Sequence, residues 1–84
     1  MRMLSTNVGV YRPIYRLAGE GLSDSDVAKR LNLTEPIVHE GARRVMDLLK
    51  FRDRNQLVEY YSNASPAQAL LRGALLERLD QVED

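Results

Sequence analysis

The side chains able to do chemistry gather in the middle of this sequence. His39, Arg43 and Arg44 are four and five residues apart, so one helix would carry all three on a single face. Thr34 opens that segment, Ser23 and Ser25 open the one before it, and Arg54 opens the one after. A guanidinium offers a planar fork of donors to paired oxygens or base edges. A capped helix start offers backbone N–H groups to an anion. Together these point to recognition of an anionic surface rather than to making and breaking bonds. The chain has no Cys, which removes disulfides, thiolate nucleophiles and thiolate metal sites. Its single His excludes a His-rich zinc site. No Ser–His–Asp grouping, P-loop or glycine-rich phosphate cradle occurs. Asp24, Asp26, Glu77 and Asp80 read as helix caps and surface charge, not as an acid–base pair. The expectation is a protein that is not an enzyme, with no cofactor and no metal.

The elements that would position these residues are all helical. A first helix starts near Pro13, with Ile14, Leu17 and Ala18 on one face, and ends at Gly19-Glu20-Gly21. Ser23, with Asp26 three residues on, starts a second whose buried stripe is Val27, Ala28 and Leu31. Thr34, Glu35 and Pro36 start a third. Its Val38, Ala42, Val45 and Leu49 keep a helical period, and its opposite face carries Pro36, His39, Glu40, Arg43, Arg44 and Asp47. Asp53 caps a fourth helix from about Arg54 to Tyr61, and Ser65-Pro66-Ala67-Gln68 opens a fifth. The fifth extends to about Leu79 and frays into an acidic tail, Asp80 to Asp84. No strand pattern or internal repeat is visible. The class is therefore all-α, with an irregular arm over 1–10, a bundle over 11–62 and a C-terminal helix and tail over 63–84.

Helices two and three are separated only by Asn32-Leu33. A short helix, a tight turn and a longer helix with a polar outer face make a helix-turn-helix. The first helix of such a pair braces against the phosphate backbone, and the second fits the DNA major groove.

These residues also resemble a known family. Leu17-Ala18-Gly19-Glu20-Gly21-Leu22-Ser23 followed by Val27-Ala28-Lys29-Arg30-Leu31 is similar to the LuxR/GerE-type DNA-binding domain, which reads loosely L-v-A-x-G-x-s-n-k-e-I-A-x-x-L. Leu33-Thr34-Glu35 resembles its I-S-E turn, Phe51-Arg52-Asp53-Arg54 its closing V-x-n-R, and Leu57-Val58 the A-V of its last helix. The resemblance spans about residues 14 to 61. It implies four family helices, with a fifth, amphipathic helix added at the C-terminus, and a recognition helix over about 35–49. It also implies a small bacterial transcription regulator that binds duplex DNA. Ser23, Ser25, Thr34, His39, Arg43, Arg44 and Arg54 are the residues placed to touch it. The groove-facing positions depart from the family: Ile37, His39, Gly41, Arg44 and Leu48 stand where it has Thr, Lys, His, Asn and a basic residue. Glu40 and Asp47 add negative charge to that face, which opposes phosphate. Gly41 costs helix propensity, about 1 kcal/mol against alanine, and calls for a close approach or a function.

Helix five is the least family-like element. Leu71, Leu75, Leu79 and Val82 form a stripe, and Ala67, Leu70, Ala74 and Leu76 widen it. It either folds back over Leu57 and Tyr61 or forms a homodimer interface. The expected interface set is Leu57, Tyr61, Leu71, Leu75 and Leu79, since the family dimerises through the helix that matches 54–61. A symmetric pair would present two recognition helices to two half-sites. A second reading keeps the fold but converts helix three into a surface for a regulatory protein partner, as an adaptor or anti-activator. A positive strip through Arg43, Arg44 and Arg54 would favour DNA. Neutralisation by Glu40 and Asp47 beside Ile37 and Leu48 would favour protein.

Bulk properties fit either reading. The 84 residues, 44% hydrophobic and 29% charged, suit one small globular domain. Formal net charge is zero, where nucleic-acid binders usually run basic. Residues 1–58 carry a net +3 and 59–84 a net −3, so the charge is segregated. No apolar run reaches the length of a membrane span, and Ser5-Thr6 ends any signal-like core early, so a cytoplasmic protein with no membrane partner is expected.

Overall fold

A computed structural model describes residues 9–82, with side chains to Asp80. The chain is all-α: five helices and, among the described residues, no strand. They are α1 (Tyr11–Gly19), α2 (Asp24–Leu31), α3 (Glu35–Leu49), α4 (Arg54–Ser62) and α5 (Pro66–Val82). The arm expected over 1–10 lies outside the described residues save Gly9 and Val10, as do Glu83 and Asp84 of the tail.

Each boundary has a local cause. Ser23, Thr34 and Asp53 accept from the N–H groups of Asp26, Ile37 and Gln56 at 3.2, 3.4 and 2.9 Å. Ser65 and Gln68 close a reciprocal capping box at 3.2 and 2.9 Å. α1 ends with Gly21 at φ 96, a conformation that glycine adopts without strain. Leu22 N–H then reaches back to Leu17 O and Gly21 N–H to Ala18 O. Asn32 and Lys50 close α2 and α3 in the same way at φ 58 and 67.

The central element is α1, which packs against all four other helices. Ile14 and Leu17 meet Val27, Ala28, Val38 and Ala42, closing α1 on α2 and α3. Its other side, Tyr11, Tyr15 and Ala18, meets Val45, Phe51, Leu57 and Leu76 from α3, the α3–α4 link, α4 and α5. The tyrosine rings are packing residues: Tyr15 stacks edge-on with Tyr61 at 5.2 Å, and Tyr60 with Phe51 at 5.2 Å. The cost of Gly41 now has a reason. It is buried, and an added Cβ would stand 2.6 Å from Ile14 Cδ1, so it lets α1 and α3 approach. Gly19 does the same for α1 against Tyr61, at 2.4 Å from Cγ.

Three expectations are corrected. α1 begins at Tyr11, and Pro13 sits third in its first turn, where a missing N–H costs nothing. The chain does not fray at Asp80: α5 continues to Val82, and Asp80 is buried, accepting from Tyr11 N–H at 3.0 Å. The inner face of α5 runs through Arg72, Leu76, Leu79 and Asp80 rather than through Leu71 and Leu75; the side chain of Val82 lies outside the described residues. Apolar residues encircle α5, so their spacing alone does not choose a face. The seat of Leu76 and the reach of Asp80 to α1 choose it.

Candidate nucleic-acid interface

Helix α3 has 15 residues and a length of about 22 Å at 1.5 Å per residue. Val38, Ala42 and Val45 anchor its inner face, while Glu35, Pro36, Ile37, His39, Arg43 and Asp47 stand exposed on the outside. α2 lies across it, joined by the turn at Asn32-Leu33, where Leu33 N–H donates to Ala28 O at 2.9 Å. Ser23 and Thr34 are exposed at the two helix starts, and Ser25 is half-exposed on α2. The spacing and caps that predict a helix-turn-helix are matched by this pair.

The cations are less free than their positions imply. Arg43 is held by Glu40 at 3.1 Å and Asp47 at 3.4 Å. Arg44 donates to Glu40 at 3.3 Å and to the Tyr11 hydroxyl at 3.4 Å, so it leans toward α1 rather than outward. Hydrogen bonds from Arg43 first and Arg44 second hold the Glu40 carboxyl below its ordinary range. Arg54 turns inward. Its Nη1 donates to Asp24 Oδ1 at 2.8 Å, its Nη2 donates to Leu22 O at 3.2 Å, and its buried Nε finds no partner among the described residues. It ties the start of α4 to the start of α2, so no strip runs through Arg43, Arg44 and Arg54.

Asp24 is the organiser that helix-start reasoning passes over. One oxygen takes Arg54, and the other lies 3.3 Å from His39 Nδ1, so one carboxylate joins α2, α3 and α4. Burial pushes its pKa up, but Arg54 and then His39 more than offset this and leave it lowered. Its sequence signal, an acid in the first turn of α2, reads only as a dipole partner. Lys29, Arg30, Lys50 and Arg52 are exposed and make no ion pair among the described residues. They flank the turn and the end of α3, and the groove-face reading missed them.

The expected dimer set is scattered. Leu57 is fully buried between α1 and α4 and cannot reach a partner. Tyr61 is half-buried against Tyr15, and Leu79 packs on the core. Leu75 is half-exposed, and Leu71 stands clear at 61% exposure. Leu70, at 77%, is more exposed still. No described helix is long and apolar enough to cross a membrane, and no group of acidic and His side chains among the described residues could hold a metal ion. Comparison with protein-family models, with curated proteins and with solved structures finds no match to this chain.

Proposed function

We propose that this chain is a small transcription regulator of LuxR/GerE-like type that docks α3 in the major groove of duplex DNA, acting as a homodimer. The observation that carries the reading is the α2–turn–α3 pair. It has capped helix starts, a buried inner face, and an outer face on which Ile37, His39 and Arg43 project from a helix long enough to follow the groove. The ion pairs of Arg43 and Arg44 do not argue strongly against it. Pairs three and four residues apart on an exposed helix face are screened by solvent and weak. A guanine edge or phosphate can displace them at small cost. Ser23 and Thr34 at the helix starts, with Lys29 and Arg30 on α2 and Lys50 and Arg52 just past the end of α3, supply backbone contacts.

The test is fluorescence anisotropy of a labelled mixed-sequence duplex at low salt and then at rising salt. Binding that weakens steeply with salt is expected, with a log–log slope shallower by about 2 in Arg43→Ala/Arg44→Ala. Absence of binding at low salt and high protein concentration overturns the reading. One observation favours the second reading, a regulatory protein partner. Glu35, Glu40 and Asp47 balance the cations along α3, beside Ile37 at 37% exposure. Capture of a specific partner through α3, lost in Ile37→Glu, would then replace DNA.

A further inference from the structure

We infer that the outer face of α5 is a two-fold self-association surface, formed by Ala67, Leu70, Leu71 and Ala74 of two antiparallel copies. This deepens the homodimer reading by naming its surface. It rests on the DNA proposal only for what the dimer is for.

The phase of α5 separates its two faces. Leu76 and Asp80 are buried, Arg72 and Leu79 are half-buried, and all four face the bundle. Arg72 is pinned there by the Tyr15 hydroxyl, the Tyr60 carbonyl and the face of Phe51. At 100° per residue, Ala67, Leu70, Leu71 and Ala74 share an arc of about 100° on the opposite side. All four are exposed, and the two leucines, at 77% and 61%, are the most exposed large apolar side chains among the described residues. Between Ala67 and Ala74 this face is apolar and uncharged on a helix already seated in its own core, the mark of a surface for association.

The pattern points to a second copy. Ala67-x-x-Leu70-Leu71-x-x-Ala74 reads the same in both directions about the midpoint of 70 and 71. An isologous contact needs such self-complementarity. A two-fold axis at the midpoint sets Leu70 against the partner's Leu71 and Ala67 against the partner's Ala74. The leucines then interdigitate at the crossing, and the alanines let the helices close on either side. No charge lies within the patch to repel its copy. Arg78, one turn beyond Ala74 on the same side of the helix, makes no ion pair among the described residues and lies past the end of the four-residue patch. Four side chains and their flanks make an interface at the low end of specific contacts, below roughly 1,200 Å². The dimer is therefore reversible rather than obligate.

The experiment uses the full chain without DNA. Sedimentation equilibrium over a concentration series is expected to show a monomer–dimer equilibrium. Leu70→Glu/Leu71→Glu should weaken it about tenfold or more, with the helical circular dichroism unchanged, and the melting temperature unchanged at concentrations where wild type is monomeric, because both side chains are exposed. The absence of native Cys allows a direct check of register. Leu71→Cys should cross-link to its own copy under mild oxidation. Ala67→Cys should not, since in this register the two copies of position 67 are about 10 Å apart along the axis. A strict monomer at several hundred micromolar overturns the inference. So does a dimer untouched by the glutamates, or equal cross-linking at 67 and 71. Anisotropy separates the two proposals: a dimer without DNA affinity removes groove docking and leaves the α5 surface, whereas DNA binding by a strict monomer removes the α5 surface and the homodimer and leaves groove docking.

Discussion

Asp80 of α5 accepts a hydrogen bond from the backbone N–H of Tyr11 at 3.0 Å, across 69 residues of chain. α1 has no side-chain cap of its own and no acid in its first turn. A residue in the last turn of α5, two before its end, therefore does what an N-cap residue does elsewhere. It also fastens α5 to the central helix.

Asp80→Ala is expected to cost about 1–2 kcal/mol, the usual loss for a missing cap. Asp80→Asn keeps an acceptor oxygen and should cost less. Burial raises the Asp80 pKa despite the backbone donors around it, so ionising it in the folded chain is unfavourable. Its stabilising contribution is full below the unfolded pKa of about 4 and falls as pH rises through the folded value. Melting temperatures from pH 7 down to pH 4 should show wild type gaining on Asp80→Asn.

Asp24 has the opposite sign. Its pKa is lowered, so its contribution is full above about pH 4 and is lost as pH falls through the folded value. Asp24→Asn should cost about 1–2 kcal/mol at pH 7, intermediate between an exposed and a buried pair. The loss should shrink as the solution is acidified. Denaturant midpoints at pH 7 and pH 3 check both statements.

Glu40 and Asp47 compete with DNA for Arg43 and Arg44. Glu40→Gln/Asp47→Asn removes two negative charges from the α3 face. Under the regulator reading it should tighten duplex binding at low salt by about tenfold and steepen the salt dependence. Unchanged anisotropy curves would show that α3 does not meet the phosphates.

The two packing glycines should differ. A Cβ on Gly19 meets the base of the Tyr61 ring, at 2.4 Å from Cγ and 2.8 Å from Cβ, atoms that cannot move without the backbone of α4. Gly19→Ala should lose about 1–3 kcal/mol. A Cβ on Gly41 meets only the tip of Ile14, which can change rotamer, and alanine recovers about 1 kcal/mol of helix propensity. Gly41→Ala should fall within about 1 kcal/mol of wild type. Thermal melts of the pair decide this.

Much of the fold was legible locally. Ser23, Thr34, Asp53 and the Ser65–Gln68 box mark helix starts because a cap is satisfied within three residues. Gly21 marks a stop for the same local reason. Val38, Ala42 and Val45 announced the inner face of α3, since a 3.6-residue period with polar partners opposite allows one solution. So the five helices and the all-α class were determined by the sequence alone.

Relations across the chain were not. Asp80 looks like a tail acid until α5 folds over α1 and takes it out of water. Arg54 looks like a free cation until Asp24 and Leu22 O lie within its reach. Leu57 and Leu71 look alike on paper, yet one is fully buried and the other 61% exposed. Period and caps act over one turn of helix. Burial and charge pairing depend on which surfaces meet, and only the packing of α1 among the other four helices decided that.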